Sequence, residues 1–167
     1  MAFTAQDVKK LREMTNVGMM DCKKALQATD GDMDAAVDWL REKGLAKAAK
    51  KADRIAAEGV AYATVVNGIG VVIEVNSETD FAAKTDAFMD LVKKLAQIVA
   101  EQNPADVEAL KACTYPNSNL TVTEIMQEKV MSIGENMQIR RFARFPENTS
   151  VAYVHAGGTH GVLVNLA

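Results

Sequence analysis

The sequence has few aromatic residues, few cysteines and no long apolar run. Its aromatic residues are five Phe, three Tyr and one Trp. Its two cysteines, Cys22 and Cys113, lack the spacing of a metal site or a disulfide framework, which predicts a reducing compartment. No segment approaches the roughly 20 apolar residues that cross a bilayer, and the first residues lack the apolar core of a signal peptide. We therefore expect a cytoplasmic protein that does not enter a membrane.

The sequence also lacks the motifs of common catalytic and nucleotide-binding sites. It contains no P-loop and no glycine motif of the dinucleotide-binding type. Its two histidines, His155 and His160, have no cysteine or carboxylate partner at ligand spacing. The glycine-rich segment 157–161 joins two predicted strands instead of opening a helix, which predicts a hairpin turn and not a phosphate loop. We expect no catalytic residues, no bound cofactor and no metal ion.

The charge of the chain is mild and uneven. The net charge is −3; the first 54 residues carry 11 Lys and Arg against 9 Asp and Glu, and the remainder carry 8 against 13. Direct nucleic-acid binding requires a more concentrated basic surface, so we do not expect it. Helical spacing places four basic residues on one face, which is typical of a solvated helix face. These residues are Lys43, Lys47, Lys50 and Arg54.

The N-terminal part of the chain predicts three short helices. Thr4 is an N-cap with an acidic residue three positions later, a variant of the capping box. Met19–Ala28 is a second helix, and Asp32 caps a third helix that we expect to end at a C-cap, Gly44. Short turns join these helices, which predicts a compact bundle over residues 1–45.

A change of periodicity follows the bundle. Residues 46–59 form an Ala- and Lys-rich helical connector that is expected to end at its final glycine. Val60–Val66 and Ile69–Val75 then alternate with period 2 around Asn67-Gly68, which favours a hairpin with a type I′ turn. The predicted fold class is therefore α+β: a three-helix bundle, a helical connector and an α+β body with an antiparallel sheet.

The remainder of the body alternates between helical and strand patterns. Ala87–Gln102 is a strongly amphipathic helix, and Thr123 is predicted to cap a later helix. The last part of the chain predicts three strands, at Met137–Phe145, Val151–Ala156 and Gly161–Leu166.

A corner at residues 74–81 concentrates unusual features. An apolar strand runs into an acidic turn that presents an aromatic residue, Phe81. Phe81 is either an exposed contact residue or a core residue. In the second case Thr79 or Asp80 caps a helix and the ring folds back on the hairpin.

Two adjacent methionines allow a similar pair of interpretations. Successive helical residues lie about 100° apart, so Met19 and Met20 cannot both point into one apolar stripe. Either Met20 is in the core and Met19 covers the turn, or an exposed methionine forms a contact surface beside Lys23.

Four segments closely resemble bacterial elongation factor Ts. They are Thr15–Leu26, Glu74–Lys84, Ile133–Arg141 and Tyr153–Gly158, and they occur in the family's order. The resemblance implies a guanine nucleotide exchange factor for elongation factor Tu, with no catalytic chemistry of its own. It also implies that Phe81, with Asp80 alongside, inserts near the Mg²⁺ and phosphate site of that GTPase. The residues that it places in contact with elongation factor Tu are Arg12, Met19, Met20, Lys23, Thr79, Asp80, Phe81 and His155.

The resemblance also implies a domain organisation. Residues 1–45 would be a UBA-like domain, residues 46–59 the connector, and residues 60–136 the N-terminal α+β subdomain of the core. Residues 137–167 would be the opening strands of a second, truncated core subdomain. A complete core would allow a homodimer. The alternative function is a peptide- or ubiquitin-like-binding module without exchange activity.

Overall fold

The structure, a computed structural model, describes residues 3–166 and has the predicted α+β fold. These residues form two compact units, one of residues 3–53 and 127–134 (unit 1) and one of residues 54–126 and 135–166 (unit 2). The helices are α1 (Ala5–Thr15), α2 (Met19–Ala28), α3 (Met33–Lys51), α4 (Asp80–Ala83), α5 (Asp86–Gln102), α6 (Val107–Ala112) and α7 (Val122–Ile133). The strands are β1 (Glu58–Val66), β2 (Ile69–Ser77), β3 (Met137–Phe145), β4 (Thr149–His155) and β5 (His160–Leu166).

Unit 1 contains the three predicted N-terminal helices. Thr4 closes the capping box of α1: the Asp7 N–H donates to its hydroxyl at 3.3 Å, and its own N–H donates to the Asp7 carboxylate at 2.7 Å. Asp32 caps α3, as predicted, by accepting from the N–H of Ala35 at 2.9 Å. The core of the unit consists of small and medium side chains. Its fully buried members are Leu11, Cys22, Ala25, Leu26 and Ala36.

The prediction that α3 ends at Gly44 is wrong, because this glycine lies within the helix. A Cβ at this position would lie 3.5 Å from the Gln127 carbonyl oxygen and 3.7 Å from the Met131 Cβ. Both are ordinary contact distances, so Gly44 is an interior residue of α3 that leaves room for a side chain, and not a left-handed C-cap.

The predicted connector helix is also shorter than expected. α3 ends at Lys51, and β1 has begun by Gly59. Gly59 has a φ of 143°, and a Cβ there would lie 2.2 Å from the Val75 carbonyl oxygen. This glycine is needed where two strands come together, not where a helix stops.

Unit 2 is built on the predicted hairpin. Val66 pairs with Ile69, and Asn67 and Gly68 have φ values of 50° and 83°, as a type I′ turn requires. β3 pairs antiparallel with β2, giving the sheet order β1-β2-β3. α5 packs on this sheet with one face fully buried. That face includes Phe88, Leu91, Leu95 and Ile98.

The second hairpin, β4–β5, packs against β1 and β2. A Cβ on Gly70 would lie 2.7 Å from the Ser150 Cβ, so bare backbone allows this close approach. A short turn, Ala156–Gly158, whose three residues all have positive φ, joins the two strands at the position of the predicted hairpin turn.

The N-cap of α7 differs from the prediction. The Thr121 hydroxyl accepts from the N–H of Glu124 at 3.3 Å, and the Glu124 carboxylate accepts from the Thr121 N–H at 2.7 Å. Thr123 instead donates its hydroxyl to the Lys111 carbonyl oxygen. The capping box therefore begins two residues earlier.

Candidate functional site

The corner between β2 and α4 presents an exposed aromatic side chain. Thr79 is the N-cap of α4, and its hydroxyl accepts from the N–H of Ala82 at 3.2 Å. Phe81, in the first turn of α4, is 80% exposed. The interpretation of Thr79 as a cap is confirmed, and the interpretation of Phe81 as a core residue folded on the hairpin is wrong.

Two residues that are distant in sequence hold this corner in place through hydrogen bonds. Glu135 accepts from the Thr79 N–H at 3.0 Å and from the Thr79 hydroxyl at 2.6 Å. The N–H of Asn136 donates to the Glu78 carboxylate at 2.6 Å, and its side-chain amide donates to the Arg54 carbonyl oxygen at 2.8 Å. These hydrogen bonds hold the backbone that carries the exposed ring.

Glu135 and Asn136 are not among the site residues that the sequence predicts. Both lie within the third segment of the resemblance, Ile133–Arg141, directly before β3. A Glu-Asn pair before a strand is not a motif of any particular function. Only the resemblance of this segment to the family could therefore have indicated a role for the two residues. Ser77 also contributes by donating its hydroxyl to the Thr79 carbonyl oxygen at 2.9 Å.

Asp80 precedes the exposed ring and is an ionised carboxylate. The Lys84 ammonium donates to it at 2.6 Å, one helical turn away. This hydrogen bond holds the pKa of Asp80 below its usual value, and the charge of Lys84 and nearby backbone N–H groups act in the same direction. Asp80 therefore carries a negative charge at neutral pH and already has a cationic partner.

A cavity of about 520 Å³ lies beside this corner in unit 2. Asp80 and Lys84 form part of its wall, and the turn Ala156–Thr159 forms another part. Glu74 and Arg141, which form an ion pair at 2.7 Å, line it as well. The structure thus brings the α4 corner and the turn after β4 to one cavity.

His155 is exposed and ends β4, immediately before that turn. Its Nδ1 lies 2.9 Å from the Tyr153 hydroxyl. His160 is its partner in the β4–β5 register, and the two ring centroids are 6.0 Å apart. The neighbouring apolar residues of both strands on this face are also exposed. They are Val151, Tyr153, Val162, Val164 and Leu166.

Unit 1 carries the other four predicted contact residues, on α1 and α2. Met19 and Met20 are 47% and 64% exposed, so the interpretation of Met20 as a core residue is wrong. The N-terminal turn of α2 leaves both side chains outside the core, and Lys23 is exposed one turn later. Arg12 is exposed on α1. All four side chains are therefore exposed on unit 1.

The described residues offer little for covalent or metal chemistry. Burial raises the pKa of the Cys22 and Cys113 thiols, so neither is a thiolate at neutral pH. Within residues 3–166, no group of three or more His, Cys, Asp or Glu side chains is arranged to hold a metal ion. The helices of this range do not include one that is long and apolar enough to span a bilayer.

Comparisons with known proteins agree on one family. The family model described as "Elongation factor TS" matches residues 78–167. The elongation factor Ts of Trichlorobacter lovleyi is 52% identical over 169 residues, which cover 98% of this chain and 54% of that protein. That of Magnetococcus marinus is 48% identical over 168 residues, covering 99% and 55%. The chain therefore spans about half the length of the curated relatives that it matches.

Proposed function

The chain belongs to the elongation factor Ts family, and we propose that it promotes the release of GDP from elongation factor Tu. In this proposal it is a guanine nucleotide exchange factor of translation elongation. It works by contact alone, without a cofactor or catalytic chemistry of its own. The cytoplasm is the compartment in which it meets this partner.

The observation that carries the proposal is the exposure of Phe81 on a fastened corner. A phenylalanine that is 80% exposed leaves most of its apolar area in water. Complete burial of such a side chain against a partner contributes about 1.5 to 3 kcal/mol. In our proposal this free energy drives insertion of the ring near the Mg²⁺ and phosphate site of elongation factor Tu.

Asp80 would act beside the ring as a fixed negative charge. Its carboxylate is ionised and half-exposed, and it forms an ion pair with Lys84. An ion pair at the surface contributes little to stability, so a partner can replace Lys84 at small cost. Thr79 would contribute by holding the helix start that aims both side chains.

The other contact residues would provide affinity. Met19 and Met20 offer soft, exposed apolar area, with Arg12 and Lys23 supplying positive charge on the same unit. His155, at the end of β4, would be a further contact from unit 2. We propose no direct nucleic-acid contact and no membrane contact. A homodimer is proposed only where the full-length core is present.

Exchange without chemistry follows from linkage. If the bound chain distorts the groups that hold GDP, GDP binds more weakly to the complex than to free elongation factor Tu. The chain must then bind the GDP form more weakly by the same factor. The complex with both ligands is short-lived, and GTP can enter the emptied site.

Release of a fluorescent GDP analogue from elongation factor Tu tests the proposal. The nucleotide is displaced by excess unlabelled GDP in a stopped-flow instrument, with and without the purified chain. We expect the release rate to rise with chain concentration and to saturate. Binding to elongation factor Tu with an unchanged release rate would contradict exchange and would favour the alternative, a peptide- or ubiquitin-like-binding module.

A further inference from the structure

Unit 1 contains a small basic pocket that the proposed function does not use. Its volume is about 280 Å³, and it lies between α2 and α3 with one residue of α7. Four lysines line it, whereas Asp21 is its one acidic lining residue within residues 3–166. The lysines are Lys24, Lys43, Lys47 and Lys50.

The charge of this pocket is opposite to that of the whole chain. The four ammonium groups and the Asp21 carboxylate leave three uncompensated positive charges, in a protein of net charge −3. Lys47 is neutralised by Asp21, with its Nζ 2.8 Å from the carboxylate. The ion pairs of residues 3–166 do not include one that involves Lys24, Lys43 or Lys50. These three cations therefore face solvent without an internal counter-charge.

The wall of the pocket includes the only tryptophan of the sequence. Trp39 is half-buried, with part of its ring packed against the core of unit 1. The Lys43 Nζ lies 5.2 Å from its ring centroid, which is within cation–π range. The ring gives the pocket one rigid side, and it places a fluorescent reporter next to the lysines.

We propose that this pocket binds the phosphate chain of a small ligand, either an inorganic oligophosphate or a nucleoside polyphosphate. Several ammonium groups that line one pocket are best matched by several negative charges on one ligand. Lysine is suited to phosphate as a compact point charge, while bidentate recognition of a single carboxylate favours arginine. The volume, close to the lower limit of about 300 Å³ for sites of drug-sized ligands, fits a phosphate chain and leaves any attached nucleoside at the mouth.

Titration of Trp39 fluorescence with tripolyphosphate tests the site directly. In low salt without added metal ions, we expect a saturable fluorescence change that weakens as salt is added. The double variant Lys43→Ala, Lys50→Ala should bind at least tenfold more weakly. Lys10→Ala, which removes an exposed lysine of α1 outside the pocket, should bind like the unchanged chain. Isothermal calorimetry on the same samples gives a second measure that does not depend on the ring.

A variant that is expected to bind more tightly distinguishes a specific site from an effect of unfolding. Asp21→Asn removes the pocket's acidic lining residue and frees Lys47, so it should tighten tripolyphosphate binding several-fold. Unfolding would weaken binding and cannot imitate this gain. Equal weakening in Asp21→Asn and Lys10→Ala, or no saturable binding at all, would overturn the proposal.

Two further ligands identify the source of the phosphate groups. Equal affinity for tripolyphosphate and a nucleoside triphosphate would assign the site to the phosphate chain alone. Tighter binding of the nucleotide, lost in Trp39→Phe when followed by calorimetry, would add a contact between the nucleoside and the ring. Binding of a single-stranded RNA without measurable binding of either small ligand would overturn the proposal in favour of a nucleic-acid surface.

Discussion

Phe81 and Phe88 lie seven residues apart and have opposite environments. Phe81 is 80% exposed and Phe88 is fully buried. We expect Phe81→Ala to slow the stimulated release of GDP by about tenfold or more, because a buried ring at the interface contributes about 1.5 to 3 kcal/mol. Its thermal unfolding should match that of the unchanged chain, since exposed positions change stability by about 0.5 kcal/mol or less.

Phe88→Ala is the matched control. Removal of this buried ring should lower the free energy of unfolding by about 3 to 5 kcal/mol. Stopped-flow release and chemical unfolding of both variants give the comparison. If Phe81→Ala lowered the free energy of unfolding as much as Phe88→Ala, Phe81 would be a core residue and not an exposed contact residue.

Tyr115 makes stability depend on pH at the alkaline end. Burial, and secondarily the negative charge of Asp90, raise the pKa of its hydroxyl from 10.0 to about 12. The folded state therefore keeps this proton more tightly than the unfolded state. The stabilisation is complete below pH 10 and is lost as the pH rises towards about 12.

Tyrosinate absorbance during an alkaline titration checks this prediction. One tyrosine should ionise later than the others in the unchanged chain, and Tyr115→Phe should remove that late step. The variant should also lose less stability between pH 9 and pH 11, values that bracket the ordinary tyrosine pKa of about 10. Identical pH profiles for the two proteins would contradict the assignment.

At the scale of elements, alanine substitutions at two glycines are expected to change the free energy of unfolding in opposite directions. Gly44 is helical, and an added Cβ would meet neighbours only at ordinary contact distances of 3.5 and 3.7 Å. Gly44→Ala should therefore raise the free energy of unfolding by about 0.5 to 1 kcal/mol through helix propensity. A glycine at a left-handed C-cap would give the opposite sign, so thermal unfolding decides between the two roles.

Gly158→Ala is the counterpart. Gly158 has a φ of 102°, and its added Cβ would lie 2.6 Å from the Val60 Cγ1. We expect a loss of about 2 kcal/mol or more from backbone strain and overlap. The same unfolding experiment measures both variants, and a loss at Gly44 equal to that at Gly158 would contradict the description of α3.

The predicted elements succeeded where the signal was local. The Asn67-Gly68 turn and the capping box of Thr4 depend on backbone geometry within a few residues. Gly44 was misassigned because α3 continues through it to Lys51, and Gly59 because its role comes from a residue distant in sequence, Val75. A glycine that admits a neighbouring element has the same local pattern as one that ends a helix.

In the candidate site, too, local features could be predicted from the sequence and features that depend on distant residues could not. The N-cap role of Thr79 could be predicted from its position before α4. The exposure of Phe81 could not be predicted, because the same local sequence is compatible with a ring on the surface and with a ring packed on the hairpin. Nor could the part played by Glu135, which lies 56 residues from the backbone that it holds. Only the resemblance to a family linked these segments before the fold was known.

At the scale of the molecule, linkage predicts a reciprocal measurement. In the proposed mechanism, the factor by which the chain weakens GDP binding to elongation factor Tu equals the factor by which GDP weakens binding of the chain. Calorimetric titration of the chain into nucleotide-free and GDP-bound elongation factor Tu provides the second factor. Equal affinities for the two forms, together with accelerated release, would show that the chain speeds exchange without a shift in the equilibrium, contrary to the proposed mechanism.

The hydrogen bonds that Glu135 and Asn136 make to the α4 corner determine whether a peptide with the sequence of this corner can adopt the same conformation on its own. The hydrogen bonds that hold Thr79 and Glu78 come from the segment that leads into β3, so a synthetic peptide of residues 77–84 would lack them. Such a peptide would have to order itself on binding and would lose affinity through that entropy. The exposed α4 corner is thus a property of two segments that are distant in sequence, and a peptide designed from it must reproduce both.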